Sequence, residues 1–99
     1  MQEQIERIRQ QVEACLEEYK LQCGTAFGWR AANPETRAHV ISTGTSILCT
    51  KWKVGHSGGG FVKAVVDNDL YAAFSRADAI NQDCIKFYLM LIHNTSYIP

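Results

Sequence analysis

The chain has no long apolar stretch. Its longest nearly apolar run, Phe87 to Ile92, is far shorter than the roughly 20 residues with which a helix spans a bilayer. The N-terminus opens with Gln, Glu and Arg instead of a basic segment followed by an apolar one, so the sequence predicts no secretory signal. These two absences exclude the membrane-spanning class and predict a cytoplasmic protein.

The chain also lacks any Cys-x-x-Cys pair. Its four cysteines are widely separated: Cys15, Cys23, Cys49 and Cys84. We expect reduced thiols, most of them buried as small apolar groups. A zinc site would have to combine Cys23, Cys49 and His56, and none of the usual ligand spacings is present. The sequence therefore predicts no metal and no cofactor.

Arrangements typical of hydrolases are absent as well. The histidines His39, His56 and His93 are too scattered for spacing to assign a Ser-His-Asp or Cys-His pair. Asp67 and Asp69 are two residues apart, and side chains at that spacing do not face one another on a helix. We therefore expect a binding protein and not an enzyme.

The formal net charge is zero, because the ten basic and ten acidic residues cancel. The two signs are unevenly spread: residues 29–63 carry five bases against Glu35 alone. A duplex-DNA binder is normally basic overall, so that class is disfavoured. A local anion site within the basic third of the chain remains compatible with this distribution.

The length of 99 residues indicates a single domain, residues 1–99, with one core. Apolar residues recur every three or four positions in the first segment: Ile5, Ile8, Val12, Cys15, Leu16 and Tyr19. This spacing predicts an amphipathic helix, ending near Gly24. The apolar face either packs on its own domain or is shared with a second subunit.

The next segment favours a helix from about residue 35 to 53, although its composition is ambiguous. Asn33, Pro34 and Glu35 form a favourable helix start, since Asn caps, Pro suits the first turn and an acid complements the dipole. The following residues are rich in Thr, Ile and Val, which favour strands. A short hairpin within residues 38–54, turning at Thr43 and Gly44, is the alternative.

Three shorter helical segments complete the prediction of an all-α bundle of four to five helices. Apolar residues from Phe61 to Val66 form one face, and Asp67-Asn68-Asp69 interrupts it. A second short helix starts at Leu70, capped by Asn68 or Asp69. The last helix, from about 79 to 93 with Asp78 as its cap, is apolar almost all round. Such a helix lies at the centre of a domain or between subunits, so we predict a homo-oligomer.

The triple glycine before the third helix admits three interpretations: a plain connector, a close helix–helix contact, or a cradle for an anion. A helix start offers unpaired N–H groups, and glycines let an oxygen approach them. The P-loop spacing is absent. The residues that would bind a phosphate-bearing ligand are His56, Ser57, Gly58, Gly59, Gly60 and Lys63, with Arg76 in support and Trp52 against a base.

The region from Gly59 to Asn81 resembles short helical proteins of unassigned function that phages and prophages encode. The matching positions are Gly59-Gly60-Phe61, Ala64-Val65, Asn68-Asp69-Leu70, Ala73, Arg76-Ala77-Asp78 and Asn81. The resemblance extends over about residues 54–94. It implies a phage accessory protein that acts on bacterial host machinery, including host defence, in the host cytoplasm.

We therefore expect a non-enzymatic, phage-type binding protein that acts on a host component, with counter-defence as one setting. In the leading hypothesis it sequesters a phosphate-bearing small ligand such as a nucleotide signal. In the alternative it is an inhibitor or adaptor that blocks a host protein through an apolar helical face, on the first helix or the C-terminal tail. Neither hypothesis involves a membrane.

Overall fold

The computed structural model describes residues 2–22, 33–55, 57–78, 81 and 84–95 of the chain. Within this part of the chain it is all-α, without strands. The five helices are α1 Gln2–Gln22, α2 Pro34–Trp52, α3 Gly60–Val66, α4 Leu70–Arg76 and α5 Ile85–Asn94. The all-α prediction is confirmed, and the alternative hairpin over residues 38–54 is wrong. No helix in these ranges is both long and apolar enough to cross a bilayer.

Helix α2 is continuous. Its start is capped, and its buried Thr45 is compatible with a helix. The side chain of Asn33 accepts hydrogen bonds from the amides of Glu35 (2.9 Å) and Thr36 (3.2 Å), which is the predicted cap. Further along, Thr45 donates its hydroxyl hydrogen to the carbonyl of Ile41 at 2.7 Å. Buried threonines in a helix are satisfied in this way.

Gly44 is a packing position in α2 and not a turn. A Cβ at this residue would lie 2.8 Å from Val12 Cγ1 and 2.9 Å from Leu91 Cδ1. The missing side chain therefore lets α2 approach both α1 and α5 at the middle of the core, where tight packing leaves no room for an extra methyl group.

The core is formed mainly by α1, α2 and α5. The apolar face of α1, including Ile8, Val12 and Leu16, is almost fully buried. It packs against α2 and α5 of the same chain, so the interpretation of α1 as packed on its own domain is confirmed. On α5, Phe87 and Tyr88 are buried, and their rings contact each other with centroids 5.9 Å apart.

Ion pairs reinforce the α1–α2 contact at the surface. Arg37 lies 3.3 Å from Glu13 and 3.2 Å from Glu17. The hydrogen bond to Glu13, with Glu17 beside it, raises the pKa of the Arg37 guanidinium. These groups are partly exposed, so the pairs fix the register of the two helices more than they add stability.

Helices α2 and α3 both end in a left-handed residue followed by a Schellman hydrogen bond. Lys53 has φ 58°, and the amide of Val54 donates to the carbonyl of Cys49 at 2.9 Å. Asn68 has φ 60°, and the amide of Asp69 donates to the Ala64 carbonyl at 2.8 Å. These endings reverse the chain after α2 and between α3 and α4.

The last predicted helix is interrupted at Cys84. Asp78 accepts a hydrogen bond from the amide of Asn81 at 2.7 Å, as its predicted cap role requires. Cys84 then lies in a turn, with its amide 3.2 Å from the Asn81 carbonyl, and α5 starts at Ile85. A single continuous helix from residue 79 to 93 is therefore wrong, because an i to i−3 turn precedes α5.

Candidate functional site

Gly58, the first of the three glycines, is a close contact between helices. Its amide donates to Thr50 Oγ1 at 2.8 Å, and Thr50 donates in turn to the Ser46 carbonyl at 2.7 Å. A Cβ at Gly58 would lie 2.6 Å from Val62 Cγ1 and 2.7 Å from Ser46 Oγ. Gly58 therefore fixes the approach of α3 to α2, and its amide is already occupied.

Gly59 and Gly60 have different surroundings from Gly58. Gly59 is the N-cap of α3, supplies no side-chain acceptor to the first turn, and has open space where a Cβ would stand. Gly60 lies beneath Arg76: a Cβ there would be 2.9 Å from Arg76 Nη1 and 3.1 Å from Cδ. The end of α4 thus folds back over the start of α3.

The polar groups around this start are hydrogen-bond donors. The first-turn amides of α3 receive no acceptor from the cap, and the Arg76 guanidinium lies against Gly60. Lys63 is exposed in the last turn of the same short helix, and Ser57 is exposed just before it. Cationic side chains and unoccupied backbone amides favour an anion over a cation as a ligand.

Trp52 and His56 were also predicted to bind the ligand. Trp52 ends α2 and packs, partly buried, against the hydrophobic core. His56 lies outside the described residues. Of the residues predicted to bind the ligand, Arg76 contacts Gly60. Gly58 and Gly59 directly precede Gly60 in the chain.

A second surface was missed by the sequence analysis. Leu70, Tyr71 and Phe74 on α4 are 58%, 85% and 46% exposed, and we call these three residues the α4 surface. We had expected exposed apolar anchors on the first helix or the tail; the apolar face of α1 is buried, and the tail after Thr95 lies outside the described residues.

A small cleft adjoins the α4 surface between α3, α4 and α5. It has a volume of about 120 Å³. Its walls are formed by Ala64, Val65, Asn68, Asp69, Leu70, Ala73, Ile85 and Leu89. One pattern in the sequence could have revealed this surface: Leu70 and Phe74 are one helical turn apart, while small Ala73 occupies the side that faces the core.

Asp78 and Asn81, which follow α4 in the chain, contact α2 and α5. Asp78 Oδ2 lies 3.3 Å from His39 Nε2 on α2, while its Oδ1 caps Asn81. The buried Asn81 side chain accepts a hydrogen bond from the Tyr88 hydroxyl at 2.7 Å. Burial raises the pKa of that hydroxyl. Asn81 thus links the segment before α5 to the core, and Asp78 lies beside α2.

The thiols of Cys15 and Cys49 are protonated at neutral pH. Burial raises the pKa of both Cys15 and Cys49, which makes each a poor nucleophile at neutral pH. Within the described ranges, no three of the His, Cys, Asp and Glu side chains come together as a set of metal ligands. Cys23 and His56, considered above for zinc, lie outside these ranges.

No protein-family model, no curated protein and no solved structure matches the chain.

Proposed function

We propose that this protein binds a phosphate-bearing small molecule, such as a nucleotide, at the start of α3. The observation that carries the proposal is the position of the Arg76 guanidinium against the backbone of Gly60. Arginine presents a fork of N–H donors that matches two phosphate oxygens at once. In the setting that the phage resemblance implies, the protein is a non-enzymatic one that sequesters a nucleotide signal of the host.

The neighbouring groups support an anion at this position. The open space at Gly59 allows a phosphate oxygen to approach the first amides of α3, which are electropositive at a helix start. Lys63, on the same helix, adds a positive charge that needs no precise alignment. Because the amide of Gly58 already binds Thr50, the ligand would be held by the start of α3 and the two cations.

The test is a thermal-shift and calorimetric screen against mono-, di- and cyclic nucleotides at low and high salt. A ligand at a hundred times its dissociation constant should stabilise the protein by about 2.7 kcal/mol. Salt should weaken the effect, since these cations are exposed to solvent. Lys63→Ala and Arg76→Gln should each weaken binding, while Lys86→Ala on α5 should not.

Two results would overturn the proposal. One is a screen in which no nucleotide raises the melting temperature at either salt concentration. The other is a nucleotide that binds Arg76→Gln as tightly as the unaltered protein. Either result would leave Gly59 and Gly60 as a connector that allows Arg76 to pack.

A second candidate function is the inhibitor or adaptor that blocks a host protein. The observation in its favour is the α4 surface, because exposed aromatic and aliphatic side chains on one helix are typical anchors for a protein partner. This function requires that no second copy of the chain covers the α4 surface in the isolated protein. It predicts a monomer that captures a host protein and loses it on Tyr71→Glu.

A further inference from the structure

We propose that the α4 surface and its cleft form the interface of a two-fold homodimer, with a second copy of this chain as the occupant. This assignment goes beyond ligand binding at α3 and does not depend on it. The proposed interface uses the exposed residues Leu70, Tyr71 and Phe74 of α4, whereas Arg76 lies on the side of α4 that faces Gly60.

The exposure of the α4 surface calls for a partner. Tyr71 leaves 85% of its surface in water, and Leu70 leaves 58%. The other large apolar side chains of the described chain are buried or partly buried. Contiguous apolar patches on monomers are rare and mark sites of interaction. A tyrosine or phenylalanine buries about 150–250 Å² when fully covered, so these residues can form the centre of an interface.

The size of the cleft indicates a side chain as its occupant. Small-molecule sites have volumes of about 300–1,000 Å³, whereas this cleft has about 120 Å³. Its walls are mostly apolar, and Leu70 belongs both to the cleft and to the α4 surface. A protruding side chain beside an apolar cleft is the arrangement that a two-fold interface uses twice, since each copy offers both parts.

The charges at the edges of the cleft favour a second copy over an unrelated partner. Asp69 lines the cleft, and exposed Asp67 precedes it on the α3–α4 side. Lys86, exposed on α5, directly follows Ile85, which also lines the cleft. A two-fold rotation places the acidic edge of each copy against the basic edge of the other. The formal net charge of zero means that two copies do not repel each other overall.

The first experiment measures the dimer dissociation constant by sedimentation equilibrium, from about 1 µM to about 1 mM protein. We expect the unaltered protein to dimerise in this range. Tyr71→Glu places a charge in the dry centre of the interface and should weaken dimerisation at least about 30-fold, as loss of a hot spot does. The control is Gln10→Glu, which adds the same negative charge at an exposed position on α1. It should leave the dimer dissociation constant unchanged.

Charge reversal tests the two-fold arrangement itself. Lys86→Asp and Asp67→Lys should each weaken the dimer, and the double variant should recover most of the loss because the opposed edges are again complementary. Circular dichroism should show the same helix content in all variants, since these residues are exposed.

Three results would overturn the proposal. A protein that stays monomeric at about 1 mM would leave the α4 surface to a different protein. A dimer that survives Tyr71→Glu would have its interface elsewhere. Losses that simply add in the double variant would show that the acidic and basic edges do not meet. None of these results bears on nucleotide binding at α3, which is measured separately.

Discussion

Helices α2 and α4 bury their apolar residues in opposite ways. Over 19 residues, α2 turns Val40, Ile41, Ile47 and Leu48 into the core. Over seven residues, α4 buries Ala73 and leaves its three largest apolar side chains at the surface. A long amphipathic helix obtains its stability from the face it buries. A helix as short as α4 depends on what lies at its ends.

The ends of α4 are accordingly well defined. Asp69 caps its first turn through the amide of Ala72 at 3.1 Å, and Arg76 at its last turn packs over Gly60. The left-handed Asn68 reverses the chain from α3 into α4. Helices α3 and α4 are therefore held largely by the hydrogen bonds of their caps and of the turn between them. Its outer face remains available for contact with another molecule.

The largest difference should appear when a leucine is truncated in each region. Leu48 in α2 is fully buried, so Leu48→Ala should lower the free energy of unfolding by about 2–5 kcal/mol. Leu70 in α4 is mostly exposed, so Leu70→Ala should cost less than about 1 kcal/mol. Urea denaturation of both variants at low protein concentration measures the two losses. Equal losses would show that α4 is packed as tightly as α2.

Two adjacent glycines provide the next comparison. Gly58→Ala would force a methyl group into Val62 and Ser46, so we expect a loss of about 1–3 kcal/mol. Gly59→Ala places its methyl group in open space and should change stability by no more than about 0.5 kcal/mol. Thermal melts of both variants separate the contact role of Gly58 from the connector role of Gly59. A harmless Gly58→Ala would argue against the close contact between α2 and α3.

The cap of α4 can be tested with a pair of aspartates. Asp69→Ala removes the acceptor for the Ala72 amide and should cost about 1 kcal/mol. Asp67, exposed at the end of α3, should tolerate alanine with a change below about 0.5 kcal/mol. Hydrogen exchange of the α4 amides should accelerate for Asp69→Ala. If both variants behave alike, the side chain of Asp69 does not hold the start of α4.

The smallest expected effect is a gain in stability at the end of α2. Lys53 has φ 58°, a left-handed conformation that glycine adopts without steric cost. Lys53→Gly should therefore stabilise the protein by about 0.5–1 kcal/mol. Asn68→Gly should gain less, because asparagine tolerates this region. Chemical denaturation measures both; a loss of stability on Lys53→Gly would mean that its side chain makes a contact that outweighs the backbone strain.

Much of the fold followed from short-range patterns. The i, i+3, i+4 spacing of apolar residues located α1 and α3. The sequence also indicated the cap roles of Asn33 and Asp78, and left Asn68 and Asp69 as alternatives for the cap of α4, because a cap acts within three or four residues. Helix α2 was harder to predict, since strand-favouring threonines and isoleucines conflict with helical spacing there. Burial of its apolar face decides the outcome, and propensity is the weaker term.

The candidate site depended on contacts between residues far apart in the chain. The sequence alone determined that glycines precede a helix in the basic third of the chain, and that a further short helix starts at Leu70. Only the tertiary structure decided that Gly58 fits between Val62 and Ser46, that Arg76 covers Gly60, and that the α4 surface faces solvent. The physical reason is that periodicity fixes which side chains share a face, while the neighbouring helices determine which of those faces is covered.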